Sequence, residues 1–416
     1  MDVFGIAANS YSPEKMDAPP KKLVGAQPFS YKKLPEAVEL PATVFEQTKT
    51  ESISGAGIDT REVTAVKGAK SAAIKSGVYR DRWAALEGLY GLKKGGIISS
   101  EGGFCDVFSC MSTENGDKYA VKYWKFKLRS SDTSTHEFMG LKKGEISALR
   151  VPEHENLVKT HAIVFQPKPF RTNEYILVKS QNELDALRAE PGQYELKLVV
   201  CDLIDGESLD KAMKPTSGKC YGSFSPETAI KAGFDLAKGM SHLHSSGVVH
   251  RDIKPENILY DGIRLKLIDF GLSKPLGGQD ITKTSCGSPL YAAPELFSSD
   301  KYDHKLDVWS LGAVMLVLAT GYVPGELSAT GPKHKVKTPE MIKNVSNFVD
   351  MSDSQKKEFL NVHCKNMCID YPGFADLLVL MFRKNCSLRI SASDAVRHLE
   401  QLRRDPKAKE LTPLDT

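Results

Sequence analysis

The sequence lacks the features that would place it in a membrane, a disulfide scaffold or a nucleic-acid complex. Its longest apolar stretch, residues 308–323, is interrupted by Ser310, Gly312 and Thr320. It is also shorter than the roughly 20 apolar residues that a bilayer-crossing helix needs, so a buried helix is expected there and no membrane insertion. The 8 cysteines (Cys105, Cys110, Cys201, Cys220, Cys286, Cys364, Cys368 and Cys386) are scattered, with no Cys-x-x-Cys pair and no histidine at finger spacing. That spacing argues against a zinc site, and residues 1–10 carry no secretory leader, so free thiols in a reducing compartment are expected. Neither sign of charge is in excess: 56 Lys and Arg against 52 Asp and Glu leave +4, too mild for the concentrated basic face that binds nucleic acid. These absences together predict a cytoplasmic chain that binds no nucleic acid.

What is present is ordinary in amount and uneven in distribution. Hydrophobic residues make up 41% and charged residues 26% of 416 residues, enough for a large core in two or three structural units. Residues 1–76 carry Pro13, Pro19, Pro20, Pro28, Pro35 and Pro41 and then a Ser/Gly/Ala-rich stretch over 52–73, the composition of a flexible tail. The tail is expected to run to residue 90, with a short helix near 79–90 whose Trp83, Leu86, Leu89 and Tyr90 share one face. From Gly96 the pattern becomes strand–turn–strand: Ile97 and Ile98, a glycine pair, residues 106–111, an Asn115-Gly116 turn, then alternation over 119–124. A helix over 137–149 follows. Two more apolar strands, 161–165 and 196–201, flank an insertion over 166–194 that is polar in its second half. Residues 226–398 are helical in pattern apart from loops at 247–294 and 321–338. The expected organisation is a tail (1–90), a sheet-rich unit (91–205), a helical unit (206–402) and a short end (403–416).

The chemistry-bearing residues lie at fixed intervals in these last two units. The run His250-Arg251-Asp252-Ile253-Lys254-Pro255-Glu256-Asn257 is followed, 17 positions beyond Asp252, by Asp269-Phe270-Gly271. Then come Cys286-Gly287-Ser288-Pro289 and Ala293-Pro294-Glu295, while Gly102-Gly103 and Ala120-Val121-Lys122 stand upstream. Either tripeptide alone is a weak signal. All of them in this order resemble the eukaryotic-type serine/threonine protein kinase family over about residues 95–400, nearly three quarters of the chain.

The resemblance implies an α+β, two-lobed protein kinase fold, with a small antiparallel-sheet lobe carrying one helix and a larger, mainly helical lobe. It also implies ATP and Mg2+ in the cleft and Ser or Thr hydroxyls of protein substrates as acceptors. Phosphate must be held, neutralised and aligned with a hydroxyl, which takes several groups at once. Lys122 would reach the inner phosphates and pair with Glu145. Asn257 and Asp269 supply the hard oxygens that magnesium prefers. Asp252 would orient the hydroxyl and accept its proton, and Lys254 would neutralise the moving phosphate. The phosphate turn carries Gly102 and Gly103 but has Ser100 and Cys105 where the family has glycine. Val107, Ala120 and Leu259 match the apolar sandwich around adenine, with Cys201 at its back and the backbone of Asp202 to Ile204 beside the base. Phe270, Leu149 and His250 match an internal stack, residues 307–312 match a buried helix anchoring the catalytic loop, and Arg389 matches the partner of Glu295. After that helix, Pro324-Gly325 departs from the family's Pro-Phe.

The resemblance further implies an activating phosphate at Thr284, facing Arg251 and Lys274, and a role for Ser288 in acceptor choice. The competing reading is a pseudokinase or nucleotide-binding scaffold; such chains lack one of the residues matched here by Lys122, Asp252, Asn257 and Asp269, all of which this sequence keeps. The unassigned tail and the atypical glycine turn suit either a divergent eukaryotic kinase or a bacterial effector delivered into a host cytoplasm.

Overall fold

The computed structural model of the chain describes residues 59–63, 74–100, 105–124, 144–168, 172–214, 221–275, 290–298, 303–328, 331–332, 338–408 and 411. All of them fall within the unit Ile58–Thr416.

The first half is built on one antiparallel sheet. Strands β1 (Asp59–Val63) and β2 (Ile74–Val78) precede helix α1 (Arg82–Tyr90). Then come β3 (Leu92–Ser99), β4 (Cys105–Ser112) and β5 (Lys118–Trp124), the helical turn α2 at residues 144–147, and β6 (Thr160–Lys168). Strand β7 (Glu174–Val178), helix α3 (Gln181–Ala189) and β8 (Gln193–Asp202) complete it. The eight strands lie in the order β1-β2-β7-β6-β8-β5-β4-β3. The β4–β5 hairpin turns at Asn115-Gly116, where Gly116 takes φ 78°, a left-handed conformation that costs glycine little.

Two segments differ from the expectation. Residues 74–78, assigned to the tail, are the strand β2, which pairs with β7, while the helix expected near 79–90 is present as α1. Residues 166–194, taken as an insertion, hold β7 and α3. The physical reason is burial on both faces: Tyr175, Ile176, Leu177 and Val178 are all buried, and such strands show an apolar run in place of alternation. Helix α1 forms because both ends are capped. The Asp81 carboxylate accepts from the Trp83 and Ala84 amides at 2.9 and 3.0 Å, and Gly91 closes the other end at φ 69°.

The second half is helical, with short ladders. β9 (Glu207–Ser208), α4 (Leu209–Ala212) and α5 (Pro226–Ser245) lead to β10 (Val248–Val249), β11 (Ile258–Tyr260), β12 (Leu265–Leu267) and β13 (Lys274–Pro275). Then follow α6 (Glu295–Ser298), α7 (Lys305–Thr320), α8 (Thr338–Asp350), α9 (Asp353–His363), α10 (Lys365–Asp370), α11 (Phe374–Met381) and α12 (Ala392–Arg404). Helix α7 is the expected buried helix: fourteen of its sixteen residues are buried, on every side, as befits a helix at the centre of a lobe.

Two apolar cores result. One lies between α1 and the outer face of the sheet, through Leu86, Leu89, Phe108, Val121, Val164 and Leu198. The other starts on the inner face with Ile163 and Val199 and continues through Phe270 into the helical lobe. The two-lobed α+β protein kinase fold is therefore present. At the base, Arg389 is almost fully buried and forks onto Glu295, with Nη1–Oε1 2.6 Å and Nη2–Oε2 3.0 Å. Removing one member of such a pair leaves the other charged, buried and unpaired. Arg389→Met is expected to destabilise the chain by about 3–5 kcal/mol, and the double variant Arg389→Met/Glu295→Leu by less than the single one. Denaturant melts of both variants check this.

Candidate active site

The inner face of the sheet presents Lys122. The β4–β5 and β5–β8 registers set it between Val107 and Val199, and pleating sends its side chain opposite to that of buried Val121. Its ammonium reaches Glu145 Oε1 at 2.6 Å and Asp269 Oδ1 at 2.9 Å. Glu145 comes from α2, which can approach because residue 144 is glycine: a Cβ there would lie 2.3 Å from the Phe270 carbonyl oxygen and 2.4 Å from that of Gly271. Asp269 stands at φ 66°, and its Oδ1 also accepts from the Gly271 amide at 3.1 Å.

Two carboxylates thus share one ammonium. Burial would push the Lys122 pKa down, but Asp269 and Glu145 outweigh it and hold the ammonium well above its usual range. Burial would raise Asp269, yet Lys122 and the Gly271 amide bring it to about 2. Glu145, fully buried, is raised by desolvation in spite of Lys122, and its Oε2 is buried without a hydrogen-bond partner. The cluster carries one negative charge in excess, a surrounding that favours a further cation.

The second half of the site is the loop between β10 and β11. The buried Asp307 carboxylate accepts from the His250 and Arg251 amides and from His244 Nε2, each at 2.8 Å. These bonds hold Arg251 at φ 71°, an uncommon conformation for a residue with a Cβ, kept only where the surroundings fix it. Beyond the anchor, Asp252 Oδ2 accepts from Lys254 Nζ at 2.9 Å and Asn257 Nδ2 at 2.8 Å. Asn257 Nδ2 also donates to the Asp252 carbonyl at 2.9 Å, which turns its Oδ1 to the opposite side of the amide. The loop is tied to the Asp269 turn by several contacts: Ile268 N–H donates to the Asn257 carbonyl at 2.9 Å, His250 Nε2 lies 3.0 Å from the Ile268 carbonyl, and the His250 ring lies 5.6 Å from that of Phe270.

Asn257 Oδ1 and the Asp269 carboxylate, whose side chain is 47% exposed, are two hard oxygens beside an excess negative charge. That donor set fits magnesium, which takes few protein ligands and completes its shell with water and phosphate oxygens. The residues expected around adenine also surround this cleft. Val107 pairs with Lys122 and Ala120 with Cys201, while Leu259 lies on β11 opposite Ser208. Cys201 is buried, 3.8 Å from Thr160 Oγ1, with its thiol pushed up to about 12 by burial. The Asp202 amide donates to the Lys159 carbonyl at 3.1 Å, and its carboxylate bonds His161 Nε2 at 2.7 Å. Of the expected hinge, Leu203 and Ile204 therefore lie beyond the ladder. Cys105 is pushed up to about 11 by burial despite Lys122, a surrounding that favours the neutral thiol over the thiolate.

Gly102, Gly103, Thr284 and Ser288 lie outside the described residues. Of the two cations expected near Thr284, Lys274 pairs with Val249, two residues before Arg251, and Arg251 Nη1 reaches the Leu272 carbonyl at 3.4 Å. Sequence reasoning missed Gly144, His161 and His244. The only available signals were a glycine just before Glu145 and a histidine six residues before His250.

Asp202, Asp269 and Asp307 all lie below the ordinary 3.8 because burial, the largest influence on each, is outweighed by hydrogen bonds and cations. As pH falls the unfolded chain takes up these protons first, so their stabilisation is complete above about pH 5 and is lost toward pH 2. Glu145 has the opposite sign, since its folded value is raised. Three groups against one predict a melting temperature that falls as pH drops from 5 to 3, with a shallower fall in Asp307→Asn; thermal melts across that range check it.

The family model for the protein kinase domain matches residues 98–399. Among curated relatives, the chain is 31% identical over 249 residues to CBL-interacting protein kinase 8 of Oryza sativa subsp. japonica, covering 59% of this chain and 48% of that one. It is 36% identical over 151 residues to a probable myosin light chain kinase of Dictyostelium discoideum (35% and 42%). It is 32% identical over 283 residues to the hormonally up-regulated neu tumor-associated kinase of Mus musculus (65% and 34%). The chain spans about half or less of the length of these relatives. With a matched domain over most of its length and a lysine, glutamate and two aspartates gathered in the cleft between a sheet and a helical lobe, the chain belongs to the protein kinase family.

Proposed function

We propose that this chain is a serine/threonine protein kinase that transfers the γ-phosphate of ATP, with Mg2+, to Ser and Thr hydroxyls of protein substrates. The observation that carries this reading is the Lys122–Glu145–Asp269 cluster, joined through the Ile268–Asn257 hydrogen bond to the loop of Asp252, Lys254 and Asn257. Magnesium, when bound, would neutralise phosphate charge. Lys122 is oriented by Glu145 toward the cleft, and Asp269 and Asn257 offer the metal its oxygens. Asp252, steadied by two donors on one oxygen, is placed to orient a hydroxyl and accept its proton. Lys254, on that same oxygen, is placed to follow negative charge as it moves. Ser and Thr acceptors are supported by Lys254 in the catalytic loop and by the relatives' names.

Activation-loop phosphorylation at Thr284 is the finer part of the proposal. Lys274 belongs to the two-residue ladder of β10 and β13 and Arg251 follows β10 by two residues, and a phosphate would bring about −1.5 to −2 charge to them. Charge-assisted bonds there would align the segment after Asp269 with Asp252.

Lys122→Met and Asp269→Asn are each expected to lower the phosphorylation rate by at least about a hundredfold while a cooperative melt survives. Radiolabelled ATP with a generic protein substrate, with and without magnesium, measures this, and phosphoamino-acid analysis should give phosphoserine and phosphothreonine. Undiminished turnover in Asp269→Asn would remove the metal assignment. Thr284→Ala is expected to lower kcat by about tenfold or more. Full activity in that variant, with no phosphate on Thr284 by mass spectrometry, would show that the segment needs no switch.

A further inference from the structure

Helix α1 has no part in the chemistry above, yet it touches the sheet directly behind it. Trp83 lies edge-on to Phe108 of β4, with ring centroids 4.9 Å apart, and 6.2 Å from Tyr123 of β5. Lys94 of β3 sits over both rings of the first pair, 4.5 Å from the Trp83 centroid and 4.3 Å from that of Phe108. Arg82 lies 4.7 Å over Tyr123. One helix turn therefore grips β3, β4 and β5 together.

Those strands need the grip. In β3, residues 93–98 are all exposed, Gly95 and Gly96 stand in its middle, and the β3–β4 register shifts twice, between Lys94 and Ile97 and between Ile97 and Ser99. Glycine and irregular register both weaken a ladder. Gly102 and Gly103 stand in the sequence between these two strands, and Val107 follows on β4 with its side chain opposite to that of Phe108. A second path leaves the far end of the helix. Tyr90 stands edge-on to Tyr119 at 6.4 Å, Tyr119 edge-on to His161 at 5.2 Å, and His161 bonds Asp202 at the end of β8.

We propose that α1, through Trp83, is a positioning element for nucleotide binding: it holds the β3–β4 strand pair and the end of β8 in the geometry that receives ATP. Trp83 is a positioning residue, because it acts from the outer face through Phe108. The inference rests on the kinase reading for the identity of the ligand and on the aromatic packing for its mechanism.

The test uses the full chain and titrates the non-hydrolysable analogue AMP-PNP with magnesium by calorimetry, alongside KM for ATP, kcat and amide hydrogen exchange. Trp83→Ala is expected to weaken analogue binding by about five- to tenfold, to raise KM for ATP in parallel and to leave kcat within about twofold. The amides of β3 and β4 should exchange faster, and Trp83→Phe should restore most of the binding. Leu177→Ala is the control: it sits in the same outer core on β7 and should lower the melting temperature without changing the dissociation constant. If Trp83→Ala fails to fold, exposed Lys94→Ala removes the cation alone and should weaken binding by about threefold. Unchanged binding in the folded Trp83→Ala or, failing that, in Lys94→Ala would overturn the proposal, as would an equal loss in Leu177→Ala. A wild-type chain that binds the analogue but transfers no phosphate would sink the kinase reading alone, with the Trp83 effect still measurable.

Discussion

One ammonium shared by two carboxylates sets the relation between the parts of this molecule. Lys122 belongs to a sheet strand, Glu145 to a helical turn, and Asp269 to a tight turn after β12, and all three meet within 2.9 Å of a single nitrogen. Two opposite charges close together in a poorly hydrated site attract strongly, but desolvating them costs nearly as much. Here the sum is not neutral. A buried carboxylate oxygen without a donor and a half-exposed Asp269 leave the cluster short of positive charge, a surrounding that favours a further cation. A merely structural pair would be complete.

The contrast is visible elsewhere in the same chain. Asp307 spends its carboxylate on two backbone amides and a histidine, and Glu295 spends both oxygens on the Arg389 fork. Both are buried with their acceptors occupied, which is how a charge serves as a fastener. Asp252 lies between the two kinds: its donors, Lys254 and Asn257, are themselves groups that a phosphate or metal would engage. The strained Arg251 backbone is held by Asp307.

The chemistry was legible in the sequence because phosphoryl transfer demands particular residue types at particular intervals, and His250 to Asn257 with Asp269 meets that demand in register. The pairing of Arg389 with Glu295 was legible only through the family resemblance, and the buried helix also through its apolar run over 308–323. The outer sheet was not. Strand β2 reads Ile-Lys-Ser-Gly-Val, which by composition resembles a loop, and its partner β7 lies about a hundred residues on. No local pattern encodes such a contact, since it is set by which apolar surface remains uncovered after the rest has folded. Gly144 was invisible for a different reason: a glycine before a helical glutamate signals nothing until the Phe270 and Gly271 carbonyls are seen to occupy the space of a Cβ.

Antiparallel sheets usually leave one face to water, and the inner face of this one is committed to the cleft. The outer face is nonetheless apolar, since α1 packs on it through Leu86 and Leu89. Pleating makes the two faces alternate residue by residue, so every group of the site has a neighbour in the outer core: Phe108 beside Val107, Val121 beside Lys122, Val200 beside Cys201. Each of those neighbours is buried. A side chain that shifts in the outer core moves the backbone from which the next residue reaches into the cleft, because a close-packed interior transmits displacement instead of absorbing it. Residues 74–90 therefore stand directly behind the strands that carry the charged cluster, although none of their side chains belongs to it.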